Sequence, residues 1–252
     1  MNNLKERFFL GYPCNFNNLC YVFPPTVKDI IANEHYAAYA QLMSLSQEEI
    51  QDLYIEHKVE TKKYPTPLEY LLQNAYQNKD VERLVKEGFR FYTHEDITIL
   101  YDKKIIILGD LKELLKTVKK VEQLPMINES NYFDFQNLIR AAVGQNPIEA
   151  PNPNEDPRIT RMKAKARYRD RVKAKQNSNK VTMLNSFAAI CCMGIGITPF
   201  NLGDLTYVAL QELSQKYSQK DSYFLQMQAR MNAFSKAKST PPKYWVADEI
   251  KS

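Results

Sequence analysis

The residues whose types could do chemistry in this chain are three histidines, four cysteines and a few adjacent carboxylates. His35, His57 and His94 are far apart, and none stands in an HExxH or similar frame that would put two ligands on one helical face. Cys14 and Cys20 are too widely spaced for a zinc knuckle, while Cys191 and Cys192 are vicinal in an apolar stretch with no histidine at ligand spacing. They read as reduced thiols of a cytosolic protein. Glu48-Glu49 and Glu95-Asp96 read as helix-start or loop charges. Gly194-Ile195-Gly196 follows a helical pattern, whereas a dinucleotide fingerprint follows a strand. Seven glycines in 252 residues are few for a protein that cradles phosphate on its backbone. The chain is expected to be no enzyme, with no cofactor and no bound metal.

The densest functional signal is electrostatic. Arg158, Arg161, Lys163, Lys165, Arg167, Arg169, Arg171, Lys173 and Lys175 follow one another with only Asp170 opposed. This run accounts for more than the whole net charge of +5 and leaves the remainder near neutrality. On a helix these charges surround the axis, so the run reads as a solvated or protein-facing connector, and any nucleic-acid binding would be weak, phosphate-directed and non-specific. Pro151, Pro153 and Pro157 precede it, and such a segment cannot bury a core of its own.

The flanking elements read as helices. Ser46 with Glu49, and Thr66-Pro67-Leu68-Glu69, are capping-box starts. Ile50, Leu53 and Tyr54 follow the first, and Leu68, Leu71, Leu72, Ala75 and Tyr76 the second, at helical spacing. Asp80 is expected to cap a helix carrying Val81, Leu84, Val85 and Phe89. Leu19–Phe23, stopped by Pro24-Pro25, reads as a strand end or extended entry segment, and Ile97–Tyr101 and Ile105–Leu108 flank Asp102-Lys103-Lys104 as a β-hairpin. Asp110 with Glu113 starts a helix carrying Val118 and Val121. Beyond the linker, Leu184, Phe187, Ala188, Cys191 and Cys192 form one apolar face. Thr206 caps the main helix of this part, with Tyr207, Leu210, Leu213 and Tyr217 on one side. A polar break at Ser218–Ser222 separates it from another helix, made of Tyr223, Met227, Met231 and Phe234. The fold class is mainly α with a small β-hairpin: a helical domain over residues 1–143, a Pro-rich linker and basic helix over 144–179, and a helical domain over 180–252. The amino terminus is polar, and no apolar run approaches membrane-spanning length. No membrane contact is expected.

Several segments carry a resemblance to the tail assembly chaperones of tailed phages. Pro24–Ile31 resembles that group's opening segment, and Leu45–Ile50 and Thr66–Leu72 are similar to later pieces. Leu205-Thr206-Tyr207 resembles an "LTYYQ"-like helix start, with Val208 and Ala209 in place of the aromatic-Gln pair. Arg230–Ala233 falls where an "RLAG"-like end would be, and Trp245–Ile250 resembles the closing element. The resemblance implies a non-catalytic protein of the host cytoplasm that keeps a helical tape-measure client soluble while the tail is built. The client-contact residues would be Tyr207, Leu210, Leu213, Tyr217, Tyr223, Met227 and Trp245. The partner would be the tape-measure or tail tube protein, with self-association left open. The competing readings are a virion structural protein, such as a neck or tail-completion subunit, and a non-specific nucleic-acid-binding protein.

Overall fold

The computed structural model describes residues 2–59, 61, 63–117, 124–148, 156–177, 183–192, 194 and 196–231. Over these the chain is mainly helical with two small antiparallel sheets, the class expected. Helix α1 (Asn2–Phe9) leads into a hairpin of β1 (Cys14–Phe16) and β2 (Cys20–Val22). Helices α2 (Val27–Ala32), α3 (Tyr36–Ser44), α4 (Gln47–Glu56), α5 (Pro67–Gln77) and α6 (Lys79–Thr93) follow. Strands β3 (Ile97–Leu100) and β4 (Ile105–Leu108), helix α7 (Leu111–Thr117), strand β5 (Met126–Ile127) and helix α8 (Tyr132–Ala142) complete the first part. The basic helix α9 (Pro157–Asn177), α10 (Met183–Cys191) and α11 (Tyr207–Met231) come last.

Local side-chain chemistry sets most helix starts. The boxes at Ser46–Glu49 and Thr66–Glu69 form in both directions, each hydroxyl accepting an amide while the carboxylate accepts from the cap. A third box of the same pattern, Thr26–Asp29, starts α2. Replacing such a cap by alanine typically costs about 1 kcal/mol. The start of α6 differs from expectation. Asn78, not Asp80, is the cap, its amide oxygen accepting from the Asp80 N–H at 2.9 Å. Val118 and Val121, expected on α7, lie outside the described residues.

Aromatic packing sits at the centre of the main core. Phe89 of α6 stacks on Phe135 of α8 with ring centroids 5.1 Å apart and planes 4° from parallel. Phe16 of β1 meets Phe135 in an edge-type contact, with ring centroids 5.3 Å apart and planes at 63°. All three are fully buried, so one cluster fixes two helices and the first hairpin. Gly88 lets α3 lie close against α6, since a Cβ there would stand 2.9 Å from the Met43 sulfur.

The expected hairpin is present, with Ile97 opposite Leu108 and Leu100 opposite Ile105. A 3₁₀ turn over Tyr101–Lys103 and a left-handed Lys104 (φ 54°) close it. Strand β5 adds to its far side, pairing Ile106 with Ile127. Strand β4 is therefore central and buried along its length. Ile106 faces the main core, while Ile105 and Ile107 join Leu124 in a second cluster, which is why the run is apolar at every position. Strand β2 falls in the extended run Leu19–Phe23, whereas its partner β1 was not expected. Asn17 and Asn18 take positive φ (49° and 58°), and the Leu19 N–H reaches the Phe16 carbonyl at 2.7 Å.

The described residues after the linker do not form a core apart from the first part, which corrects the division at residues 144–179. The Val27 N–H donates to the Leu205 carbonyl at 2.8 Å, and the Tyr207 N–H donates to the Pro25 carbonyl at 2.9 Å. Val208 belongs to the main core, and Leu210 packs with Val27, Ile190 and Leu202. At the end of α8, Gly144 takes φ +73°, and a Cβ there would overlap the Gln211 side chain. Helix α10 also turns differently. Ile190 is buried and Phe187 and Cys191 half-buried, whereas Ala188 and Cys192 are exposed, and the Leu184 side chain lies outside the described residues. Helix α11 runs unbroken through Ser218–Ser222.

The cysteines give a test of this packing. Cys14 and Cys20 are buried, and burial, with the Glu95 charge adding to it, pushes the Cys20 thiol up to about 12. Cys192 is exposed. A thiol reagent at neutral pH should label Cys192 in the folded protein and reach Cys14 and Cys20 only after denaturation. Raising the pH through the ordinary thiol range should favour the unfolded chain, because its Cys20 ionises first. Labelling of Cys14 and Cys20 in the folded protein at the rate of Cys192 would show this core to be wrong.

Candidate functional site

The histidines stand at helix ends. His35 is the residue before α3, His57 ends α4, and His94 ends α6 in a left-handed conformation (φ 59°) with its ring stacked on Phe23 at 4.1 Å. Among the described residues no group of three or more His, Cys, Asp or Glu could hold a metal. No described helix is long and apolar enough to cross a membrane. What the fold does present is charge on α9 and apolar surface on α11.

Helix α9 starts where the Asp156 carboxylate accepts the Arg158 N–H at 2.8 Å. It docks along α4, with Ala164 fully buried at the contact. Arg167, one turn on, lays its guanidinium across three acceptors. Its Nε donates to Asp52 Oδ1 at 3.3 Å, Nη1 to Glu48 Oε1 at 3.2 Å and Nη2 to Gln51 Oε1 at 3.3 Å. The Asp52 side chain is 1% exposed and that of Arg167 is 28% exposed. A carboxylate so buried is costly unless it is paired, and the planar fork suits several acceptors at once. Of the two readings of the basic run, solvated or protein-facing, the helix combines both: the side that carries Ala164 and Arg167 faces the protein. Arg158, Arg161, Lys163, Lys165 and Arg169 are exposed. Arg171, Lys173 and Lys175 continue the helix, with side chains outside the described residues.

The residues expected to meet a client do not share one surface. Leu210 is 3% exposed and belongs to the interior, so it is corrected from contact residue to core residue. Tyr207 is half-buried, with its ring edge-on to Tyr36 at 5.9 Å. Among the described residues the neighbouring Tyr36 and Tyr92 hydroxyls complete no hydrogen bond of good geometry, and burial holds both phenols well above their ordinary range. Leu213, Tyr217 and Tyr223 are half-buried, Met227 is exposed, and Trp245 lies outside the described residues. The base of α11 is thus an anchor.

Its far half is different. Phe224 (50%), Met227 (36%) and Met231 (83%) are exposed at spacings of three and four residues, so they line one side of the helix. Leu225, also exposed, opens onto the neighbouring side, and the Lys220 ammonium lies 6.0 Å from the Phe224 ring centroid. The sequence pattern marked Met227 and Met231 as apolar and helical, but periodicity does not distinguish a stripe that is covered from one that is not. Phe224 and Leu225 stood outside that stripe and were missed.

Compared with protein-family models, with curated proteins and with solved structures, the chain gives no significant match.

The docking of α9 is testable through its ion pair. Arg167→Met removes the fork and leaves Asp52 buried. Because Arg167 is partly solvated, the expected loss of stability is about 1–3 kcal/mol, below the value for a fully buried pair. Asp52→Asn combined with Arg167→Met should cost less than the two single changes summed. Denaturant melts of the four proteins measure this, and strict additivity would show that the two side chains do not interact.

Proposed function

We propose that this protein is a non-catalytic tail assembly chaperone of a tailed phage, acting in the host cytoplasm, where it holds a helical tape-measure client in solution. The reading joins the resemblance of its segments to one feature of the fold: an apolar stripe on the outer half of a helix whose base is anchored in the core. Phe224, Met227 and Met231 form that stripe. An amphipathic client helix exposes a complementary apolar row before assembly, and such a row aggregates unless it is covered. Flexible methionines adapt to a repetitive, inexact partner, and Phe224 supplies a stiffer anchor. Contact centres on the outer half of α11, with Tyr223 at its inner border, while Tyr207 and Leu210 hold the helix in place.

This division of labour separates binding from stability. Phe224→Asp with Met231→Asp should leave the melting temperature within a few degrees of wild type, since both side chains are exposed. The same pair should abolish co-solubilisation of a co-expressed tape-measure protein. Leu210→Asp should collapse the fold itself, because it buries a charge without a partner. A client that stays soluble with the double variant, or without this protein altogether, would overturn the reading. Stoichiometric amounts of the protein in purified virions would favour the structural-subunit alternative instead.

A further inference from the structure

The docking of α9 on α4 creates a cleft that is separate from the α11 stripe, and its chemistry does not depend on the chaperone reading. Its volume is about 530 Å³, and it is lined by Tyr54, Ile55, Lys58, Val59, Thr61, Tyr64, Arg161 and Lys165. Ligand pockets span roughly 300–1,000 Å³, so the space suits a small organic molecule. Three of the lining groups are cations and none is a carboxylate. Glu48 and Asp52 of α4 are engaged by Arg167. Among the described residues, no ion pair holds Lys58, Arg161 or Lys165. Among the described lining residues, positive charge therefore converges on the cleft with no carboxylate beside it.

Two further features shape it. Tyr54 and Tyr64 meet edge-to-face, with ring centroids 5.7 Å apart and planes at 83°, so one wall carries aromatic surface. Lys58 follows the end of α4 in a left-handed conformation (φ 56°), where glycine is the usual residue. The turn is closed by the Val59 N–H donating to the Tyr54 carbonyl at 2.8 Å. A side chain is thus kept at a position where a bare backbone would be less strained, and that side chain lines the cleft. Arg161 and Lys165 are four residues apart on α9, so they project from one side of it.

We propose that this cleft binds a nucleotide, its phosphates on Lys58, Arg161 and Lys165 and its base against the Tyr54–Tyr64 wall. Aromatic rings beside cations are the arrangement by which proteins hold single-stranded nucleotides without reading their sequence. The nucleotide is either free or part of a single strand, and the two sources are distinguished by titration. ADP, a short oligothymidylate and pyrophosphate are titrated into the full-length protein by calorimetry at low ionic strength. Binding of ADP assigns a free nucleotide, and binding of the oligothymidylate alone assigns a strand. A strand touching three cations should lose affinity as roughly the second power of salt concentration. Arg161→Glu and Lys165→Glu should each weaken binding about tenfold or more, as expected where an exposed cation meets phosphate. Tyr64→Leu should weaken the nucleotide and leave pyrophosphate unaffected. Arg169→Glu makes the same charge change on the same helix outside the cleft, and it should leave affinity unchanged. Failure of wild-type protein to bind either nucleotide probe would overturn the proposal. So would equal weakening by Arg169→Glu, or pyrophosphate binding as tight as ADP with no effect of Tyr64→Leu.

Discussion

Phe135 is the residue on which the other packing depends. It stacks on Phe89 and meets Phe16 in an edge-type contact, so α6, α8 and the first hairpin meet at one ring. These rings are planar and rigid, and a stacked pair with a third ring inclined at 63° admits little rotation. With α6 fixed, Gly88 brings α3 against it, and the three capped helices before α6 follow. The end of α8 then presents Gly144, the small residue over which the first turns of α11 pass. Order therefore spreads outward from an aromatic centre toward two helices that carry the exposed chemistry. Interior side chains hold those helices by one side or one end and leave the rest to the solvent.

Helices α9 and α11 are held by different physics. The base of α11 is held by Val208, Ala209 and Leu210, an apolar contact with little directional content. Helix α9 has a small apolar contact at Ala164, and its position is specified by Arg167 against Asp52, Glu48 and Gln51. A buried charge adds less to stability than to placement, since sliding the helix would pull Arg167 off the buried Asp52. The cleft beside α4 inherits that placement, because Arg161 lies six residues and Lys165 two residues before Arg167 in the same helix.

What the sequence made legible is what short-range chemistry decides. The capping boxes at Ser46 and Thr66, the cap at Thr206 and the pairing of Ile97–Leu100 with Ile105–Leu108 are set by neighbours in the chain. Of the first hairpin only β2 showed, in the run Leu19–Phe23; β1 was hidden because three residues are too few for alternation to show. The unbroken α11 was hidden for the opposite reason: Gln219 and Lys220 are good helix formers, and the serines beside them do not stop a helix that is already propagating. Leu210 was misplaced because a helical stripe looks the same whether the chain itself or a partner covers it. Nothing local distinguishes Arg167 from the other basic residues of α9, as its partner Asp52 lies far away in sequence. The candidate surfaces were thus visible as composition and became specific only through contacts between distant segments.

The pairing of Thr26 with Thr206 has a consequence for the order in which the molecule is made. During synthesis the segment around Val27 leaves the ribosome long before Leu205 and Leu210, the residues that pair with and cover it. Until they arrive, Val27 has lost part of its apolar cover and the backbone at Pro25 and Val27 lacks its partners. Contacts this distant in the chain are slow to close, because the intervening segment must first be confined. The nascent chain therefore waits in a nearly finished state with one seam open, the state in which a growing protein is most exposed to strangers. Translation speed through the basic run, ahead of the closing helix, sets how long that seam stays open.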